Sequence, residues 1–293
     1  MPAIVACAAL IAVSLIEAPV VRAAGLPDEA AGIDGIAAAL MSVYDLYDVV
    51  ALGEMHERRI DSDLRIALVR HPDFAKKVRT IVVEFATTME QTTLDRYIRG
   101  ENVPRAQLDR VRPKQPGSLT SEDPIYLDFF AAVREVNSKL PADARIRVFG
   151  GEDNRNRDTA AVAILKEQVF QKHGKALVVY GAGHFWRQGG TGLVRMLDVN
   201  YPGRTFVVIP VGGHLPGETK NDYPTFDRAL KTKVRPVMVP LQRSPFRDFT
   251  AEKFLDGTLV TMRRGRWVSI FAGSTLTLGQ MADACVYLGR PQS

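Results

Sequence analysis

The stretch DVVALGEMH at 48–56 decides the fold, because an apolar run ends there on an acid and a histidine. The run is short, continuous and rich in valine, which is typical of a strand buried on both faces of a parallel sheet. Gly53 lets the chain turn as it leaves the sheet, and Glu54 and His56 follow. If extended geometry persists, these two side chains project to the same side. The stretch predicts a buried strand with a polar pair at its carboxyl end.

Three further apolar runs end in the same way. The runs at 80–83, 146–151 and 176–183 lead into Glu84, into Glu152 and Asp153, and into His184. A helical pattern follows each run, and alternating strands and helices predict a mostly parallel β-sheet covered by helices on both faces. The carboxyl ends of such strands line one crevice, where ligands bind. We therefore expect the acids and histidines to meet at one edge of the sheet.

The chain has the length and composition of one α/β domain. It has 293 residues, of which 46% are hydrophobic and 24% charged, and it shows no internal repeat. Strands are predicted at 48–53, 79–85, 145–150, 175–182, 204–211, 237–241, 266–272 and 286–289. Helices are predicted at 31–47, 61–70, 88–99, 124–140, 158–173, 191–198, 250–255 and 276–284. Gly174 is expected to end the helix at 158–173 in the left-handed conformation. We interpret the irregular stretches 101–122 and 212–236 as loops that select a substrate.

The first 23 residues resemble a secretory signal. The apolar run 4–16 is too short for a stable membrane anchor, and the small-residue pattern VRAA follows at 21–24. This predicts export to the periplasm or beyond, a mature domain at 24–293 and no transmembrane segment after cleavage. A buried N-terminal helix is the alternative. The net charge is +5, but the basic residues are spread along the chain, so we expect no nucleic-acid partner.

The acids at the strand ends are candidates for chemistry. A carboxylate such as Glu54 can hold the imidazole of His56 in one tautomer and make it a better base or metal ligand. The alternative is that Glu54 caps the next helix and His56 lies on the surface. Glu84, at the end of a buried strand, must find a partner or change its pKa. An ion pair with Arg58 or Arg59 is the structural interpretation of Glu84.

His184 is the second candidate histidine. It follows the small residues GAG at 181–183, which allow a ligand to come close. A core histidine is the alternative, and it loses weight because Glu54, His56 and Glu84 should lie at the same edge. At least one of Glu152 and Asp153 is expected to face the crevice. The sequence contains neither a nucleophile elbow nor a phosphate-binding loop.

Several short motifs together resemble the ChaN/Tiki/erythromycin-esterase superfamily. They are LGEMH at 52–56, VEF at 83–85 with LDRY at 94–97, GAGH at 181–184 and ADACVYLG at 282–289. The superfamily contains esterases that hydrolyse a macrolide lactone with a histidine-activated water, metal-dependent proteases and haem-binding proteins. The Glu-x-His spacing is most similar to that of ChaN-like members. The stretch 57–63 lacks the further histidine of that pattern, which argues against haem ligation.

The resemblance implies two main functions for the same residues. In a hydrolase, His56 or His184 would activate water, Glu54 would orient the histidine and Glu84 would complete the site. These four residues could also hold a divalent metal such as zinc, manganese or iron. The alternative is a haem- or iron-binding uptake protein, in which Tyr180 and Trp186 would contact the cofactor. A third interpretation is a non-catalytic interaction domain. The expected partner is a small-molecule substrate or haem, and the oligomeric state stays open.

Overall fold

The computed structural model describes residues 29–56, 58–112, 124–153, 156–188, 192–212, 223–255, 260–263 and 266–289. The predicted signal segment 1–23 lies outside the described residues, so its cleavage and export stay predictions. Parts of both irregular stretches, at 113–122 and 213–222, also lie outside them. No helix within the described residues is long and apolar enough to cross a membrane.

One sheet of eight strands forms the centre of the structure. Its strands are β1 (Ala30–Ala31), β2 (Val49–Glu54), β3 (Thr80–Thr87), β4 (Arg147–Glu152), β5 (Ala176–Gly181), β6 (Thr205–Val211), β7 (Val237–Pro240) and β10 (Ala284–Tyr287). Their order across the sheet is β1-β7-β10-β6-β2-β5-β3-β4. All pairs from β10 to β4 are parallel, and only β1–β7 and β7–β10 are antiparallel. A separate antiparallel pair consists of β8 (Val260–Arg263) and β9 (Arg266–Ser269).

Helices cover both faces of this sheet. They are α1 (Gly32–Val43), α2 (Arg59–Arg70), α3 (Phe74–Lys77), α4 (Gln91–Arg99), α5 (Arg105–Leu108), α6 (Ile125–Ser138), α7 (Arg157–Leu165), α8 (Leu193–Asn200), α9 (Tyr223–Ala229), α10 (Ala251–Phe254) and α11 (Leu278–Met281). Successive side chains of a strand point to opposite faces. In β2, Val50 and Leu52 therefore pack with α1, α2, α4 and α6, whereas Val49 and Ala51 pack with α7, α8, α9 and α11. The predicted fold class is confirmed.

Several details differ from the sequence-based expectations, among them α3 and β8, which were not predicted. The segment after α7 continues as a π-helix over Lys166–Phe170, and His173, not Gly174, has the positive φ of 53°. The amide of Gly174 donates a hydrogen bond to the Val169 carbonyl, so the chain reverses one residue earlier than predicted. Within the stretch 212–236, the short helix α9 was not predicted, because only Tyr223 and Phe226 of its seven residues are buried.

The strand order places the functional strand ends side by side. In the sheet β2 lies next to β5, β5 next to β3, and β3 next to β4. Glu54 pairs in register with Gly181, and Thr87 with Glu152. The carboxyl ends of the four strands that carry the predicted acids and histidines therefore form one continuous edge.

Candidate functional site

Glu54, the last residue of β2, is buried and holds three partners. Its Oε1 accepts a hydrogen bond of 3.0 Å from the hydroxyl of Tyr126 and lies 3.2 Å from Nδ1 of His56. Its Oε2 accepts a hydrogen bond from the guanidinium of Arg65. Because Arg65 and Tyr126 fix the carboxylate from behind, Glu54 presents a fixed acceptor to the histidine. The sequence predicted the contact between Glu54 and His56.

Arg65 was not predicted as part of the site. Its side chain is only 1% exposed, and its guanidinium lies 4.9 Å from the ring centres of both Phe85 and Tyr126. Among the residues that the structure describes, NH1 of Arg65 has a hydrogen-bond partner, whereas its Nε and NH2 have none. The sequence did contain a signal for Arg65, because this charged residue lies on the apolar face of the helix predicted at 61–70. Such a residue must be paired.

His56 joins Glu54 to an open space. With Nδ1 beside Glu54, its Nε2 lies near Gly181, where an added Cβ would be 2.7 Å from Nε2 and 3.4 Å from Oε2 of Glu84. Burial lowers the pKa of His56, but the bond to Glu54 and the charge of Glu84 outweigh it, so the pKa is raised above its ordinary value of 6.5. The absence of a side chain at Gly181 leaves room for the imidazole.

Glu84 is the central anion of the site. Its Oε2 accepts a hydrogen bond of 2.7 Å from the Gly181 amide, and its Oε1 accepts one of 2.5 Å from NH1 of Arg157. Burial raises the pKa of Glu84, but the hydrogen bond and charge of His184, the charge of His56 and the hydrogen bond of Gly181 prevail and lower it to about 2. The interpretation of Arg58 or Arg59 as its partner was wrong. Those arginines pair with Asp61 and Asp128, and Arg157 takes their place.

His184 lies between two carboxylates on a short 3₁₀ turn, Ala182–Phe185, that follows β5. Its Nδ1 is 2.7 Å from Oδ1 of Asp158, and its Nε2 is 3.4 Å from Oε1 of Glu84. Burial lowers the pKa of His184, but the hydrogen bonds to Asp158 and Glu84 outweigh burial and raise it to about 9. At neutral pH this imidazole is a cation with both nitrogens protonated.

The acids after β4 separate into two positions. Glu152 is buried, and its Oε2 lies 3.0 Å from Nε of Arg157. Asp153 accepts a hydrogen bond of 2.7 Å from the Asn156 amide just before α7. Glu152 therefore faces the site through Arg157, which links the carboxylates of Glu84 and Glu152.

A cavity of about 150 Å³ opens onto these groups. It is lined by residues 54–56 and 181–184, so both histidines face it. Tyr180 and Trp186 are buried and do not line the cavity. The Tyr180 hydroxyl points at Gly151, and Trp186 packs on Phe271 at 4.7 Å between ring centres. The two predicted cofactor contacts therefore lie in the core next to the site.

The donors of the site do not fit a divalent metal as they are arranged. Within the part of the chain that the structure describes, no group of three or more His, Cys, Asp or Glu side chains is placed to hold an ion. The Glu54 and Glu84 carboxylates are already paired with arginines, and the charged His184 has no lone pair to donate. Metal ligation by Glu54, His56, Glu84 and His184 stays a prediction, and no step below depends on it.

Arg157 and Asp158 were missed because they follow the strand by several residues. In a βαβ unit each helix starts near the carboxyl edge of the sheet, so residues of its first turn can reach the site. Both residues belong to the first turn of α7, as Asp61 belongs to that of α2. The signal was therefore present at the start of the helix predicted at 158–173, which Arg157 directly precedes and Asp158 begins.

Together, the fold and this edge define an α/β protein with a buried acid–histidine cluster at the carboxyl ends of parallel strands. More specifically, the chain has the fold of erythromycin esterase. A mutant of the esterase EreC in its open conformation matches with a TM-score of 0.56 and 9% identity, over 89% of this chain and 95% of that one. A Bacillus cereus protein matches with a TM-score of 0.58 and 11% identity, over 90% and 94%.

The other comparisons add little. ChaN of Campylobacter jejuni, in a structure with cofacially bound haem, matches with a TM-score of only 0.39 and 13% identity, over 60% of this chain and 86% of that one. No protein-family model matches the chain, and no curated protein matches it either. The expected likeness to erythromycin esterase is confirmed at the level of the fold.

Proposed function

We propose that the protein is a hydrolase of esters or lactones in which His56 activates a water molecule. The observation that carries this proposal is the Glu54–His56 contact beside the cavity. With Nδ1 donating to Glu54, neutral His56 has its lone pair on Nε2, the atom that lies near Gly181. A base in this position can take a proton from water as the water attacks a carbonyl carbon.

His184 is less suited to be the base. Its Nδ1 and Nε2 both face carboxylates, and its pKa of about 9 keeps it protonated at neutral pH. A cationic imidazole beside the cavity instead supplies positive charge to the site. The two histidines thus have different roles: His56 accepts the proton, and His184 provides positive charge.

The fold supports the same class of reaction. Among the solved structures of this fold is an enzyme whose name states that it is an erythromycin esterase.

The raised pKa of His56 leads to a further expectation. Because only the neutral imidazole accepts a proton, kcat/KM should rise with pH until His56 is deprotonated.

The experiment is a panel of p-nitrophenyl esters and small lactones, tested with the wild type, His56→Ala and His173→Asn. His173 is an exposed histidine just before β5, at the opposite end of that strand from the site, and asparagine tolerates its left-handed backbone. We expect a loss of about 10²-fold or more in His56→Ala and wild-type activity in His173→Asn. Activity that survives in His56→Ala would contradict the proposal.

The alternative, a haem- or iron-binding uptake protein, is tested in parallel. We expect hemin to produce no Soret shift that depends on the residues of the site. A stoichiometric shift that His184→Ala abolishes, together with no hydrolysis of any ester or lactone, would favour the alternative.

A further inference from the structure

The charged groups of the site are arranged in two layers. The Glu54 and Glu84 side chains are only 2% and 3% exposed. Two groups that reach solvent carry N–H donors, since the side chains of Arg157 and His184 are 34% and 25% exposed. A molecule that enters the site therefore meets donors first, with the carboxylates behind them.

Arg157 has donor capacity that the protein does not use. Its NH1 donates to Glu84, and its Nε lies beside Glu152. Within the described chain, its NH2 group makes no hydrogen bond. An arginine carries five N–H donors in a planar fork that matches carboxylate and phosphate groups. Arg157 does not itself line the cavity, but its side chain is 34% exposed, so an oxyanion can approach the unused amino group from solvent.

His184 provides a second donor at a suitable distance. NH1 of Arg157 and Nε2 of His184 lie 2.5 Å and 3.4 Å from the same oxygen of Glu84. The two nitrogens are therefore within about 6 Å of each other. The contact of His184 Nε2 with Glu84 is long at 3.4 Å, so its N–H can be shared with an external acceptor while Nδ1 stays on Asp158.

We propose that Arg157 and His184 form a subsite for a small oxyanion group, a carboxylate or a phosphate, which the substrate carries close to its scissile ester. This substrate class rests on the proposed function, because His56 faces the same cavity as His184. The volume of about 150 Å³ equals that of about five water molecules, so the part of the substrate that enters is small.

Binding is measured first, and independently of hydrolysis. Succinate and inorganic phosphate, as separate probes, are titrated calorimetrically into the full chain and into Arg157→Gln, Arg157→Lys and Arg59→Gln. We expect the wild type to bind at least one probe and both Arg157 variants to bind it about ten-fold more weakly. The probe that binds identifies the carboxylate or the phosphate as the recognised group.

The variants are chosen to separate binding from folding. Arg157→Lys keeps the positive charge beside buried Glu84 but loses the planar fork, so the protein should stay folded. Arg59 is exposed and pairs with Asp128, so Arg59→Gln should bind like the wild type. No binding of either probe, or wild-type affinity in Arg157→Lys, would overturn the subsite.

Hydrolysis then distinguishes this inference from the proposed function. The kcat/KM of p-nitrophenyl hydrogen succinate is compared with that of neutral p-nitrophenyl butyrate. We expect a preference of about ten-fold for the charged ester, which Arg157→Lys loses. Equal hydrolysis of both esters by the wild type would contradict the subsite and leave the hydrolase intact. Oxyanion binding through Arg157 without hydrolysis of either ester would contradict the hydrolase and leave the subsite intact.

Discussion

Replacement of Gly181 by alanine displaces His56 without removing any functional group. Gly181 has a φ of −52°, which alanine adopts without strain. The added Cβ would lie 2.7 Å from Nε2 and 2.8 Å from Cε1 of His56. Since ordinary contact begins at 3.4 Å, the imidazole must retreat by roughly 0.7 Å. It can do so, because its side chain is 40% exposed.

The displacement should reduce activity far more than stability. A misplacement of about 1 Å at a reacting group costs about 10²-fold in rate, so we expect kcat/KM on the best ester of the panel to fall between about 10- and 100-fold. The free energy of unfolding in urea should change by less than about 1 kcal/mol, because the imidazole moves towards solvent.

The matched control is Gly35→Ala. Gly35 lies on the exposed side of α1, and a Cβ there would meet no atom within 4 Å. This variant should keep full activity and gain up to about 1 kcal/mol, because alanine favours the helix. A folded Gly181→Ala protein with activity within two-fold of the wild type (about 0.4 kcal/mol of barrier) would refute the placement of the base at His56 Nε2.

Three other predictions concern the charges of the site. Arg65→Met should lower the free energy of unfolding by about 3 to 5 kcal/mol, because the buried Glu54 loses its cation. Arg59 is exposed, so Arg59→Met should change the free energy of unfolding by less than about 0.5 kcal/mol. Equal losses of the two variants in urea unfolding would contradict this prediction. His184, with its pKa raised to about 9, contributes fully below pH 6.5 and loses that contribution as pH rises to 9. His184→Gln should therefore unfold without this alkaline loss of stability, and an undiminished loss would show that other groups cause it. Glu84, with its pKa lowered to about 2, contributes fully above pH 4.5 and loses that contribution as pH falls towards 2, so Glu84→Gln should show a smaller loss of stability in acid.

The sheet and the residues at its strand ends could be predicted from the sequence, because both follow from local patterns. Continuous apolar runs identified the parallel strands, and parallel strands bring their carboxyl ends to one edge. Glu54, His56, Glu84 and His184 could be placed together on this basis alone. Their contacts agree with that placement, since Glu54 lies beside His56 and Glu84 beside His184.

The partners of these residues could not be read from the sequence in the same way. Which arginine reaches Glu84 depends on the direction of α7 relative to β3, and this is a tertiary property. Arg58 and Arg59 are nearer to Glu84 along the chain, yet Arg157 makes the contact with Glu84 across 73 residues. The role of Tyr126 was hidden for a similar reason. Its ring packs in the core against Phe85, while its hydroxyl reaches Glu54 across 72 residues.

The hydrolase and the alternatives share these residues, so the sequence could not choose between them. At this edge, the burial of a side chain determines more than its residue type does whether it can contact a ligand. Tyr180 and Trp186 are suitable cofactor contacts by chemistry, but both lie in the core. His56 and His184 have the same side chain and different surroundings, because His184 has two carboxylates beside its ring nitrogens.

The central claim is that Glu54 and His56 act as one unit on water, and a double-mutant cycle tests it most directly. The measurement is kcat/KM on one ester for the wild type, Glu54→Gln, His56→Ala and the double variant. If Glu54 acts only by orienting His56, the double variant should be no slower than His56→Ala. Losses that multiply, or a His56→Ala protein as active as the wild type, would contradict the account.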